Sequence, residues 1–209
     1  MIKYKTVMKE AETEQVIDRS RFIGHVKPVE SREEAEAFLT EIRAKHKTAN
    51  HNVPAFVIGD QFQLQWASDD GEPQGTSGAP IVQMLVKEGI TDLAVVITRY
   101  FGGIKLGTGG LVRAYTGTAK LALAAGGICA VKELNELKVK IAYTFLGKLQ
   151  NLALNGKFEV NNTIFEDMVT VDLTMDPEDA EEVKTMVSNL TGGSGIVVSE
   201  RKRLAKVPI

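Results

Sequence analysis

Residues 92–115 read DLAVVITRYFGGIKLGTGGLVRAY, and the rest of the chain is organised around them. DLAVVIT is a nearly unbroken apolar run, as expected of an interior strand covered on both faces. Glycines follow at 102, 103, 107, 109 and 110, denser than a plain connection requires. Glycine admits positive φ and lets another group come close to the main chain. A loop of that kind opening a helix aims bare N–H groups and the positive helix end outward, which suits an anion. No Asp or Glu occurs between Leu93 and Lys132, whereas Arg99, Lys105, Arg113, Lys120 and Lys132 are all cationic.

Upstream, short alternating segments around Tyr4, Val16 and Phe22 predict strands, followed by a helix in SREEAEAFLTEIRAKHK. Ser31 and Glu34 are spaced as a capping box there, and Ala35, Phe38, Leu39 and Ile42 share one face. VPAFVIG and QFQLQWASD are two strands joined at Gly59–Asp60, and APIVQMLVKEG is a short helix closed by Gly89. After DLAVVIT comes the helix LVRAYTGTAKLALAA, ended by Gly126–Gly127. The expectation is an α+β domain over residues 1–133, with its helices packed on one face of a sheet.

An ELNEL linker near Val131–Asn135 leads into a second domain, residues 134–209. LKVKIAY alternates apolar with lysine, FLGKLQNLALNG is a short amphipathic helix, and KFEVNNTIF pairs with MVTVDLTM about Glu166–Asp167. Asp176 and Pro177 open the helix DPEDAEEVKTMVSNL, and GIVVSERKR is a last strand. That order is βαββαβ, the ferredoxin-like arrangement.

The 209 residues carry a net charge of −2, which excludes coating nucleic acid by bulk charge; such a role must rest on a local patch. A single cysteine, Cys129, precludes an intrachain disulfide and reads as a small buried residue. The N-terminus lacks the apolar core of a signal peptide, and no stretch is apolar enough for a membrane span. The expected location is the cytoplasm.

GGIKLGTGGLVR is neither a Walker loop nor a dinucleotide fingerprint. It is a strand-to-helix loop with free amides at Gly102, Gly103, Gly107, Gly109 and Gly110, a hydroxyl at Thr108, and Lys105 and Arg113 nearby. Tyr100 and Tyr115 interleave with Arg99 and Arg113 as stacking groups do in single-strand binders, while Phe101 is expected to complete the core. Asp69, Asp70 and Glu72 either hold Mg²⁺ near a phosphate or cap the amides of a solvated turn. His25, His46 and His51 form no HExxH or His/Cys cluster, so no metal site is expected. His51 is either a general base or a strand-edge residue. The basic tail Arg201, Lys202, Arg203 and Lys206 is a solvated run.

SRFIGHVKPV, SDDGEPQGTSGAPI and TRYFGGIKLGTGGLVRAYTG resemble the IMPACT family, whose bacterial branch is the YigZ type, and the likeness spans essentially the whole chain. The resemblance implies an N-terminal domain like domain 2 of ribosomal protein S5. It implies a C-terminal ferredoxin-like domain similar to domain V of elongation factor G. Both relatives work on the ribosome. Eukaryotic members regulate translation under starvation by competing for the activator of a stress kinase, and they carry an added N-terminal RWD domain; the residues here begin directly with the core.

The leading expectation is a non-enzymatic, translation-associated protein that binds RNA or the ribosome through the basic glycine loop, with no cofactor, metal or catalytic residue. Arg99, Lys105 and Arg113 would contact phosphates. The alternatives are a metal-dependent enzyme or binder of a small phosphorylated ligand, and a protein-interaction module with a partner in translation control that uses the C-terminal sheet.

Overall fold

A computed structural model describes residues 2–154 and 156–209. The chain divides into two compact units, one of Lys3–Val131 with Lys206–Ile209 and one of Ile2 with Lys132–Ala205. No helix among the described residues is long and apolar enough to cross a bilayer.

After β1 (Ile2–Val7), the larger unit contains β2 (Ala11–Ile17), β3 (Ser20–Pro28), α1 (Arg32–Lys45), β4 (His51–Ile58), β5 (Leu64–Ala67), α2 (Gly78–Glu88), β6 (Leu93–Tyr100) and α3 (Gly107–Gly126). Its five-stranded sheet runs β2-β3-β6-β4-β5, antiparallel at every step. β6 is the central strand, buried from Leu93 to Arg99. Two consecutive left-handed residues, Asp18 and Arg19, turn β2 into β3. α1 begins as the Ser31/Glu34 spacing predicts: the Ser31 hydroxyl accepts from the Glu34 amide at 3.2 Å. The Glu34 carboxylate reaches one residue further back than in a standard box, to the Glu30 amide at 2.8 Å. α2 ends at Gly89, left-handed at φ 71°.

The helices do not share one face of the sheet, as expected from sequence. α2 and α3 pack with Val53, Ala55, Val57, Val95 and Ile97. α1 lies on the opposite face, where Phe38, Leu39 and Ile42 meet Phe56, Ile58, Ala94 and Val96. The physical reason is the two-residue period of a strand: the unbroken apolar runs 53–58 of β4 and 93–97 of β6 need cover above and below. Cys129 is free and buried.

The smaller unit holds most of β7 (Ile128–Ile141) and of β10 (Ile196–Pro208), with α4 (Tyr143–Ala153), β8 (Glu159–Phe165), β9 (Val169–Met175), a 3₁₀ turn at Pro177–Asp179 and α5 (Ala180–Thr191). The strands lie in the order β10-β7-β9-β8, and β1 also pairs with β7. Taken in chain order that is 4-1-3-2, the ferredoxin-like arrangement. Leu137, Val139 and Ile141 are buried with Val171, Leu173 and Val183. Lys138 and Lys140 point the other way and pair with Asp172 and Glu166.

Two local expectations need correction. Val131–Asn135 is not a linker but the interior of β7, with Lys132, Glu133 and Leu134 half-buried and regular alternation beginning at Asn135. Asp176 makes no side-chain cap, and Pro177 starts the 3₁₀ turn rather than an α-helix.

Candidate functional site

Strand register brings the two polar loops together. β4 and β6 are antiparallel neighbours with His51 opposite Arg99, so the start of β4 meets the end of β6. The loop after β5 is tied to β4 through Asp70: its carboxylate accepts from the Asn52 amide at 2.6 Å, and its carbonyl contacts His51 Nδ1 at 2.8 Å. Asp70 is left-handed at φ 48° and Gly71 at φ 89°, a turn that carries Glu72 inward. The Glu72 side chain is 4% exposed and accepts from Arg99 Nη1 at 2.6 Å and from the Tyr115 hydroxyl at 2.6 Å. His51 Nε2 stands 3.7 Å from the same oxygen. One carboxylate thus joins the acidic loop, β4, β6 and α3.

Arg99 is committed to this network. Its Nη2 donates to the Ser20 hydroxyl at 3.3 Å, and its guanidinium carbon lies 5.3 and 5.4 Å from the centroids of the Phe22 and Phe101 rings. Burial, and then the Glu72 carboxylate, push the Tyr115 phenol far up, so that it remains a neutral donor.

The three acids do not converge on a common point. Asp69 accepts from the amides of Gly75, Ser77 and Gly78 and from the Ser77 hydroxyl, at 2.7–3.1 Å. Burial acts to raise its pKa, yet these hydrogen bonds, led by Ser77, hold it below the ordinary aspartate value. Asp70 is ion-paired with Arg43 at 2.7 Å. Asp69 therefore caps amides. Another convergent donor group, Glu12 with His25 and His46, lies elsewhere on the sheet.

The glycine stretch serves several purposes. A Cβ on Gly102 would lie 2.0 Å from the Arg19 carbonyl carbon, so this residue lets the loop pass against the β2–β3 turn. Gly103 and Gly107 hold positive φ, 89° and 71°. Gly107, Thr108, Gly109 and Gly110 belong to the first turn of α3 rather than to a loop, and no side chain caps that turn. Its leading amides are therefore open.

Between these parts lies a cleft of about 440 Å³, with Glu72 and Arg99 at its base and Phe101, Lys105, Gly107, Thr108, Leu111 and His51 around it. Lys105 and Arg113 are both exposed, and neither makes a side-chain ion pair among the described residues. Arg113 lies beside Gly109 on the outer side of α3.

Several residues expected at the site act differently. Arg99 is buried and paired, so it is not a free phosphate contact. Tyr115 is fully buried and offers no stacking face. Tyr100 points to the α1 side, where its hydroxyl contacts His46 Nδ1 at 3.0 Å. Phe101, expected in the core, is 46% exposed and lines the cleft. The alternation of β6 signals this exchange, because Arg99 and Tyr100 must face opposite ways. The basic tail is strand β10, with Arg201 and Arg203 paired to Glu136 and Lys202 to Glu133.

The fold and cleft define a class: a two-unit α+β protein with a ferredoxin-like second unit and a glycine-opened helix beside a buried Glu–Arg pair. Residues 18–123 match the Impact N-terminal domain, and residues 139–194 match a domain of unknown function, DUF1949. The chain belongs to the IMPACT family. It is 37% identical over 190 residues to the IMPACT family member YvyE of Bacillus subtilis, covering 91% of this chain and 88% of that protein. It is 33% identical over 180 residues to YigZ of Escherichia coli, covering 85% and 88%. Mouse Protein IMPACT is similar over 94 residues, at 33% identity, covering 43% of this chain and 29% of that protein. A crystal structure of a hypothetical protein superposes with a TM-score of 0.58 at 30% identity, covering 94% of this chain and 96% of that one.

Proposed function

We propose that the cleft binds single-stranded RNA and that the protein works in association with translation, as a binder and not as an enzyme. The observation that carries this is the uncapped start of α3, a 20-residue helix, opening between Lys105 and the exposed ring of Phe101. Open amides at a helix N-terminus and a nearby lysine suit a phosphate. An exposed aromatic beside them suits a stacked base, and the combination tolerates many sequences. The Glu72 charge at the base does not oppose an anion because Arg99 neutralises it at 2.6 Å. IMPACT family membership lends support for the link to translation, with RNA or the ribosome as partner.

The test is a fluorescence-anisotropy titration with short single-stranded RNA over a salt series. Wild type should bind with steep salt dependence. Lys105→Glu combined with Arg113→Glu should weaken binding and flatten the slope by about 0.7 per lost phosphate contact. Phe101→Ala should cost about 1–3 kcal/mol without changing the slope. Equal affinity for wild type and the double variant, with the fold intact, would remove the assignment.

A second hypothesis, a small phosphorylated ligand, is favoured by the cleft's volume of about 440 Å³, within the size range of small-molecule sites. It needs no metal at Asp69, Asp70 and Glu72. A thermal-shift panel of nucleotides separates the two, since a ligand at 100 times its Kd stabilises the fold by about 2.7 kcal/mol.

A further inference from the structure

We propose that Glu12, His25 and His46 form a binding site for a zinc-type divalent ion on the α1 side of the larger unit's sheet, apart from the cleft. One ligand atom from each lies within 4.8 Å of the other two. The backbone makes the juxtaposition. Glu12 and His25 are direct partners across the β2–β3 ladder, and His46 is the residue that ends α1, brought over the sheet by the packing of Phe38, Leu39 and Ile42.

The hydrogen-bond directions leave lone pairs aimed at the space between the three side chains. The Asn52 amide nitrogen donates to the His46 carbonyl at 3.4 Å, so Asn52 Oδ1 accepts the Thr98 hydroxyl at 2.7 Å. That uses the only proton Thr98 has. Its 3.3 Å contact with His25 Nε2 must then carry the imidazole N–H. With the ring neutral, as ligation requires, His25 Nδ1 keeps a lone pair, facing a Glu12 carboxylate oxygen at 3.2 Å. Two acceptors face each other there.

His46 repeats the pattern. With its Nδ1–H donated to the Tyr100 hydroxyl oxygen at 3.0 Å, its Nε2 carries the lone pair, and that atom is buried without a hydrogen-bond partner on a residue only 9% exposed. An unsatisfied buried polar atom costs stability, and a metal would meet His46 Nε2 while also separating the facing Glu12 and His25 acceptors. Thr98 and Tyr100 are then the outer partners that orient ligating imidazoles.

Two imidazoles and a carboxylate with open positions suit Zn²⁺, or Co²⁺ as its spectroscopic substitute, better than Mg²⁺ or Ca²⁺. Lys45 holds the same Glu12 oxygen at 2.5 Å. Its side chain is 54% exposed, so it can release the carboxylate into water and acts as a competitor for the site.

The experiment is a calorimetric titration of the full chain with ZnCl₂ at neutral pH, with Co²⁺ absorption as a second readout. One ion per chain is expected, with the visible bands of a low-coordinate Co²⁺ site. Glu12→Gln and His46→Gln should each weaken binding by at least about tenfold. Lys45→Met should tighten it. Glu12 and Lys45 are both exposed enough that their variants keep the fold, which circular dichroism checks. Absence of heat and of Co²⁺ absorption up to millimolar metal would overturn the site. So would uptake that is equal in wild type and all three variants, since the ion would then lie elsewhere.

Discussion

A carboxylate as enclosed as that of Glu72 is tolerated because two donors meet it, Arg99 and Tyr115, each at 2.6 Å. Glu72→Ala would leave the Arg99 charge buried and unpaired. We expect a loss of about 3–5 kcal/mol in urea unfolding. Glu72→Leu combined with Arg99→Met should recover much of it, because an apolar pair carries no desolvation cost. A second residue-scale prediction concerns acid. Burial lowers the folded-state pKa of His25 to about 4, below the value near 6.5 of an unfolded histidine. The unfolded chain therefore binds the extra proton between these limits. Stability from the neutral ring is complete above about pH 6.5 and is lost as pH falls toward 4. Glu12 faces this ring and Lys45 faces Glu12. Glu12 itself is held low, chiefly by its hydrogen bond from Lys45, and so loses stability in the same direction. Melting temperature should drop across that window, and the drop should shrink in His25→Gln. Lys105 and Thr108 could be placed near the cleft from sequence, because chain neighbours of a glycine turn stay near it. Glu72 as its base could not, since partners at positions 99 and 115 become visible only once the strands are paired.

Elements follow their local signals except where packing outweighs propensity. α1 begins at its capping box, and α2 ends at its glycine. α3 instead starts at Gly107, although three of its first four residues are glycines with poor helix propensity. Leu111, Ala114 and Tyr115 are buried in the core, and their packing draws the helix back by a turn. Glycines at two other positions test where close approach matters. At Gly24 an added Cβ would lie 2.9 Å from the Thr118 carbonyl and 3.1 Å from Ala122 Cβ, where α3 crosses β3. Gly24→Ala should destabilise by about 1–3 kcal/mol in chemical denaturation. Gly147, inside α4, has nothing within 4 Å. Gly147→Ala should stabilise by about 0.5–1 kcal/mol in the same assay.

At the scale of the molecule, the apolar cores of the two units share no residue. A fragment of residues 132–205 should therefore show dispersed amide resonances and its own cooperative thermal transition; a fragment lacking both would mean that its core is insufficient alone. With a net charge of −2, the attraction for RNA proposed above must come from the few free cations near α3. The sequence by itself determined the α+β class, the βαββαβ order of the second unit and the family, because periodicity, caps and a long glycine motif are local properties of the chain. Only the tertiary structure decided that helices cover both faces of the first sheet, that Phe101 and not Tyr100 or Tyr115 lines the cleft, and that Glu12, His25 and His46 meet. Each of these depends on which strands are neighbours and in what register, and a shift of one residue sends every side chain to the other face.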